Sequence, residues 1–153
     1  MKYFPLLFLL LFFLISCENH TILSSEKDIE NQVWTYRDTF STDFSIKNNN
    51  IPYDIMLNIV YNDEYPFQNI YLRITDNFTG KKNIDTVNIN LYNKYGMVKG
   101  EKRGKDYDLS TILRKSFKFP ATKKYSIKIE QYTRNDSLQG VSAVNLYINK
   151  AKK

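Results

Sequence analysis

A chain of 153 residues has room for one domain and hardly for two, and an apolar content of 42% is enough to build its core. Its one cysteine, Cys17, cannot form an internal disulfide, and with one histidine, His20, it excludes a Cys/His zinc cluster within the chain. The formal charge of +6 is carried by Lys and Arg interleaved with Asp and Glu, without a nucleic-acid-binding motif, so it reads as a solvated surface rather than a nucleic-acid footprint.

The chain opens with an apolar run from Tyr3 to Ile15, broken only by Tyr3 and Pro5 and flanked by Lys2. As a helix the run spans about 20 Å, against roughly 30 Å of bilayer hydrocarbon, so it is too short to cross. It fits the apolar region of a secretory signal ending in small Ser16. Leu14-Ile15-Ser16-Cys17 then resembles a bacterial lipobox. That resemblance implies cleavage before Cys17 and diacylglycerol on its thiol, with residues 1–16 as a lipoprotein signal peptide. The alternative is an ordinary signal peptide with an incidental cysteine. A single acyl chain binds a membrane only marginally, whereas two or three hold firmly.

From Glu18 to Gln32 the sequence is polar apart from Ile22, Leu23 and Ile29. It reads as a tether able to pair loosely with the domain. "SSEKDIENQ" could supply one helical turn capped by Ser24 or Ser25. Denser apolar content begins at Trp34. The expected organisation is a signal peptide at 1–16, a lipidated N-terminus and tether at 17–33, and a folded domain at 34–150.

Within that domain the period is two. Phe40, Thr42, Phe44 and Ile46 share a face until "KNNNIP" interrupts with turn residues. Tyr53, Ile55, Leu57, Ile59 and Tyr61 alternate with Asp54, Met56, Asn58, Val60 and Asn62, the clearest strand in the chain. Ile70, Leu72 and Ile74 make the next, and "DNFTGKKN" the turn after it. Val87, Ile89 and Leu91 follow, then a strand from Ile112 to Phe119 ended by Pro120. Tyr125, Ile127 and Ile129, then Val144, Leu146 and Ile148, complete the set. The aromatic share of 15%, with 12 Tyr and 10 Phe, suits strands. The expected fold is all-β: an antiparallel β-sandwich of about seven to eight strands, with a jelly-roll order left open.

Three stretches resemble the gliding-motility lipoprotein family GldH of Bacteroidetes: "YDIMLNIVYNDEYPFQNIYLRI" at 53–74, "KSFKFPATKKYSIKIEQYTRND" at 115–136 and "LQGVSAVNLYIN" at 138–149. Asn62, Tyr65, Pro66, Asn69, Phe119, Pro120, Tyr125, Gln131, Arg134, Gly140 and Val141 sit where the family pattern puts them, and the likeness covers roughly 17–150. One region departs. Where family members tend to carry a glycine- and tryptophan-bearing loop, this chain has "NKYGMVKGEKRGKDYDL", with glycines but no tryptophan. The resemblance implies a non-enzymatic accessory protein anchored in the outer membrane, associated with gliding motility and type IX secretion. It implies partners among other envelope proteins and no cofactor. Such proteins also occur in bacteria that do not glide, and the side of the outer membrane that carries the domain is left open.

Two loops are candidate partner contacts. "NDEYPFQN" offers Asp63, Glu64, Tyr65 and Phe67, with Pro66 stiffening the backbone. The alternative is a structural connection with Tyr65 and Phe67 tucked under the sheet. Asp63 and Glu64 are adjacent, so on an extended chain they point apart and make no acid pair, and no EF-hand spacing surrounds them. The segment Asn93 to Asp108 is long for a hairpin and carries Lys94, Lys99, Lys102, Arg103 and Lys105. Lys102 and Arg103 are its candidate contacts, suited to an acidic partner or membrane headgroups. A flexible exposed excursion is the alternative. Asp136-Ser137-Leu138 resembles the acceptor motif of Bacteroidetes O-glycosylation at Ser137, and Asp85-Thr86-Val87 does so less well. A rival reading is a carbohydrate-binding module on the envelope. It would need Tyr71, Tyr92, Tyr132 and Tyr147 to line one exposed face for sugar stacking. No acid/base or nucleophile constellation points to an enzyme, and no metal or cofactor is expected.

Overall fold

The computed structural model describes residues 20–152. The expected signal peptide and Cys17 lie outside the described residues. In chain order the strands are β1 (Thr21–Asp28), β2 (Val33–Thr35), β3 (Phe40–Ser45), β4 (Tyr53–Asn62), β5 (Asn69–Asp76), β6 (Asn83–Asn90), β7 (Glu101–Arg103), β8 (Asp106–Phe117), β9 (Lys124–Gln131), β10 (Ser137–Gln139) and β11 (Val141–Lys150), with one 3-10 turn at Glu30–Gln32. They form a five-stranded sheet ordered β1-β11-β4-β8-β7, a four-stranded sheet ordered β3-β9-β5-β6 and a small β10-β2 ribbon. Every pairing is antiparallel.

The two larger sheets pack face to face through the residues that the period-two pattern marks. Tyr53, Ile55, Leu57, Ile59 and Tyr61 of β4 are buried, as are Val144, Leu146 and Ile148 beside them on β11. Ile70, Leu72 and Ile74 of β5 and Ile127 and Ile129 of β9 cover them from the other sheet. β-branched and aromatic side chains suit this pleated, enclosed surface, and each fully buried one contributes about 1.5–3 kcal/mol.

The outward face of the five-stranded sheet is less watery than alternation predicts. Asn145 Nδ2 donates to Asn58 Oδ1 at 3.0 Å, and Asn58 Nδ2 donates to the Asp108 carboxylate and to Ser110 Oγ. The ladder crosses three neighbouring strands, so both asparagines are buried although they point away from the core.

The strand count exceeds the sequence expectation, eleven against seven to eight, for a physical reason. β2, β7 and β10 have three residues each, too few for a period to register. β1 carries weak hydrophobicity, yet it pairs with β11 from Thr21↔Asn149 to Asp28↔Ala143. The stretch expected as tether is therefore an edge strand over residues 21–28. Its cohesion comes from backbone hydrogen bonds and from Leu23 packed on the core. β8 starts at Asp106, earlier than expected, and takes the end of the supposed long loop into a hairpin with β7.

Strand direction gives the sandwich two poles. At the entry pole β1 begins, β4 begins and β11 ends, and Phe44, Phe78, Phe117, Phe119 and Tyr125 pack there ring on ring. At the far pole β4 ends and β11 begins. The ten residues of β4 separate the two by roughly 30 Å at ~3.3 Å per residue.

Candidate partner-contact surface

The far pole is built where β4 stops. Asn62 terminates the strand, with its Oδ1 accepting the Glu64 N–H at 2.9 Å and its Nδ2 donating to Gln32 Oε1 at 2.9 Å. The Tyr65 N–H donates to the Asn62 carbonyl, and the Asn62 N–H to the Gly140 carbonyl. A short side chain that mimics backbone is needed at such a turn, which is why asparagine stands there.

The loop after β6 is pinned onto this turn. Gln68 accepts the Leu91 and Tyr92 N–H groups on its carbonyl, and its Nε2 donates to the Asn93 carbonyl at 3.0 Å. Asn93 in turn shapes the tip, its Oδ1 accepting the Tyr95 and Met97 N–H groups at 2.8 and 3.0 Å. Gly96 supplies the left-handed residue, at φ +77°. The two loops enclose a shallow hollow of about 430 Å³ lined by Asp63, Pro66, Phe67, Tyr92, Asn93 and Lys94 among others.

Beneath the hollow is a tyrosine cluster. Tyr61 meets Tyr65, Tyr92 and Tyr107 at ring-centroid distances of 6.4, 5.8 and 5.7 Å. Tyr61 Oη donates to the Leu91 carbonyl and Tyr65 Oη to the Asn69 carbonyl, so the buried hydroxyls are satisfied. Burial pushes the phenols of Tyr61, Tyr65 and Tyr92 up, with the Asp63 charge adding to the effect at Tyr92. Tyr107 is pushed up chiefly by its hydrogen bond to the Asp63 carboxylate and next by burial.

The expected contact residues divide accordingly. Tyr65 is 3% exposed, so it supports the loop from within. Phe67, its edge-on neighbour at 6.0 Å, is 38% exposed and is available to a partner. Asp63 and Glu64 are exposed, the former tied to Tyr107. Lys102 lies over the Tyr107 ring at 6.0 Å and so joins the same surface. Arg103 points to the opposite side of β7 and pairs with Asp108 at 3.3 Å. Ser137 is exposed at the start of β10, two residues before the Gln139–Gly140 step into β11.

Sequence reasoning missed the most exposed aromatic of the surface. Tyr95 is 74% exposed at the loop tip with Lys94 Nζ 4.9 Å above its ring, and Met97 beside it is 59% exposed. The signal was present in "NKYGM", a turn bounded by Asn93 and Gly96. The four tyrosines of the sugar reading do not share a face. Tyr92 belongs to the far pole, and Tyr147 faces outward beside Met56 on the five-stranded sheet. Tyr71 and Tyr132 adjoin one another on the other sheet, with the Arg73 guanidinium 5.1 Å from the Tyr132 ring.

The arrangement offers rigid aromatic area, a few cations and two exposed acids, Asp63 and Glu64. Among the described residues, no group of three or more His, Cys, Asp or Glu side chains is placed to hold a metal ion. This fold and surface define an antiparallel β-sandwich domain with an aromatic loop pole. The sequence pattern of the GldH lipoprotein family matches residues 21–148, and the chain belongs to that family of lipid-anchored envelope proteins. No curated protein matches the chain significantly. Among solved structures, a chain titled "Structure of infectious bursal disease virus Gx strain" aligns with 85% of this chain at 11% identity and a TM-score of 0.30. This chain spans 33% of that one, and so low a score carries no argument about fold or function.

Proposed function

We propose that the protein is a non-enzymatic accessory component of the outer membrane, held by lipid on Cys17, that acts by binding other envelope proteins through its far pole. Family membership supports the lipid-anchored class, and the lipobox at Leu14–Cys17 supports Cys17 as the site. The observation that carries the contact role is the exposed set Phe67, Tyr95 and Met97 on a base locked by Gln68 and the tyrosine cluster. Aromatic and methionine side chains held rigidly in this way are typical interface anchors, because little entropy is lost on binding. The pole stands roughly 30 Å from the point where the chain enters, clear of the membrane that the anchor would occupy. Association with gliding motility and type IX secretion follows the family reading.

A photo-crosslinking residue at position 95, in cells of a bacterium that carries the protein, tests the reading. The expected result is a discrete crosslinked envelope protein, lost on changing Phe67 to serine. Absence of any crosslink in intact envelopes, with the protein present and folded, refutes it.

The exposed pair Tyr71 and Tyr132, with the Arg73 guanidinium over the Tyr132 ring, favours the second reading, a glycan-binding face on the four-stranded sheet. Glycan-array binding abolished by Tyr71→Ala and Tyr132→Ala, and unchanged by Phe67→Ser, would select it.

A further inference from the structure

The two sheets treat their outward-facing acids differently. On the four-stranded sheet Asp43 pairs with Lys124, and Glu130 with Arg73 and Lys128. On the five-stranded sheet the cross-strand rows through Asn58, Val60 and Asn62 set Glu26, Asp28, Glu101, Asp106 and Asp108 on the outward side. Arg103 is the one cation in those rows, and it is paired with Asp108. The other four carboxylates make no ion pair among the described residues. In a chain of formal charge +6 this face is acidic.

The centre of the face is apolar, with half-buried Met56, Val60 and Tyr147, buried Ala143 and Ile112 at 50% exposure. One polar demand is left unmet there. Asn145 is 6% exposed, and its Oδ1 is buried without a hydrogen-bond partner. Its Nδ2 is turned to Asn58 on one side, so Oδ1 is directed to the β1 side, where exposed Glu26 is the cross-strand neighbour. A buried acceptor without a donor is costly, and an N–H group brought in beside Glu26 would satisfy it.

We propose that the outward face of the five-stranded sheet is a second docking surface, for a Lys- or Arg-bearing surface of another envelope protein, with one cationic side chain seated between Glu26 and Asn145 Oδ1. Charge complementarity selects the occupant. Four carboxylates without a cation repel an anionic membrane and attract a basic protein surface. They are spread over β1, β7 and β8 and do not converge, and among the described residues no group of three or more His, Cys, Asp or Glu is placed to hold a metal ion. An apolar centre with a charged rim is the anatomy of a protein interface. The proposal is independent of the far-pole contact, since Phe67, Tyr95 and Met97 lie on other elements.

The test places a photo-crosslinking residue at position 112 of the full chain, in cells of a bacterium that carries the protein, with mass spectrometry of the adduct. The expected result is a discrete adduct to another envelope protein through a segment that carries Lys or Arg. Glu26→Lys with Asp28→Lys should lower its yield on the order of ten-fold or more, through like-charge repulsion. Asn145→Ala should lower it as well. Asp43→Lys, a charge reversal on the other sheet, should leave it intact, as should Phe67→Ser. The thermal midpoint of each variant reports whether it is folded. No adduct at position 112 from folded protein overturns the proposal. So does an adduct that a folded Glu26→Lys, Asp28→Lys variant keeps in full, an adduct segment without Lys or Arg, or an adduct to a second copy of this chain. Loss of the position-95 crosslink with the position-112 adduct retained would refute the far-pole reading alone.

Discussion

Gly140 lies so close to the Tyr65 amide nitrogen that a Cβ on it would overlap that atom and sit 2.8 Å from Asn62 Oδ1. Its φ of +76° is in the left-handed region as well. The entry into β11 and the turn after β4 thus interlock through a residue that has no side chain, and the far pole is assembled around that contact.

Gly140→Ala should therefore cost more than about 3 kcal/mol, combining left-handed strain with overlap against backbone that cannot yield. Gly96→Ala shares the positive φ but meets nothing within 4 Å, so about 1 kcal/mol is expected. Urea denaturation of the two variants checks the contrast.

The aromatic residues at the two poles should behave oppositely. Phe119 is 1% exposed and packs against Phe44, Tyr53, Phe78, Phe117 and Tyr125, so Phe119→Ala should lose about 3–5 kcal/mol. Phe67→Ser should move the thermal midpoint little while removing the envelope crosslink.

Tyr61, Tyr65, Tyr92 and Tyr107 all have phenols raised above the ordinary value of 10.0. A group raised in the folded state favours folding fully below its unfolded pKa and loses that contribution as pH climbs toward the folded value. Stability should therefore fall above about pH 10, in step with late phenolate absorbance near 295 nm. Tyr107→Phe should remove part of that alkaline loss.

On the outer face of the four-stranded sheet, Glu130 Oε2 accepts from Arg73 Nε at 3.1 Å and Lys128 Nζ at 3.0 Å. Burial acts to raise its carboxyl, but the two cations outweigh it and hold it below the usual carboxylate range. Such a group adds stability above its unfolded pKa and loses it as pH falls through the folded value. Glu130→Gln should flatten the acid limb of a midpoint-against-pH curve, by under about 1 kcal/mol since Arg73 is 41% exposed.

Cys17→Ser should shift the protein out of the membrane fraction and abolish metabolic acyl labelling. Retention of both would contradict the anchor reading.

The chain by itself determined the all-β class and the inner face of β4, because the two-residue period of a strand is a local property written directly in Tyr53, Ile55, Leu57, Ile59 and Tyr61. It also marked "NDEYPFQN" as a loop following that strand, stiffened by Pro66. Only the tertiary structure decided that Tyr65 turns inward while Phe67 stays at the surface. It also decided that β1 is an edge strand and that Tyr95 crowns the same pole as Asp63. Those outcomes depend on partners distant in sequence, Gln68 on Asn93, Gly140 on Tyr65 and β11 on β1, and no local period records which strand will lie alongside.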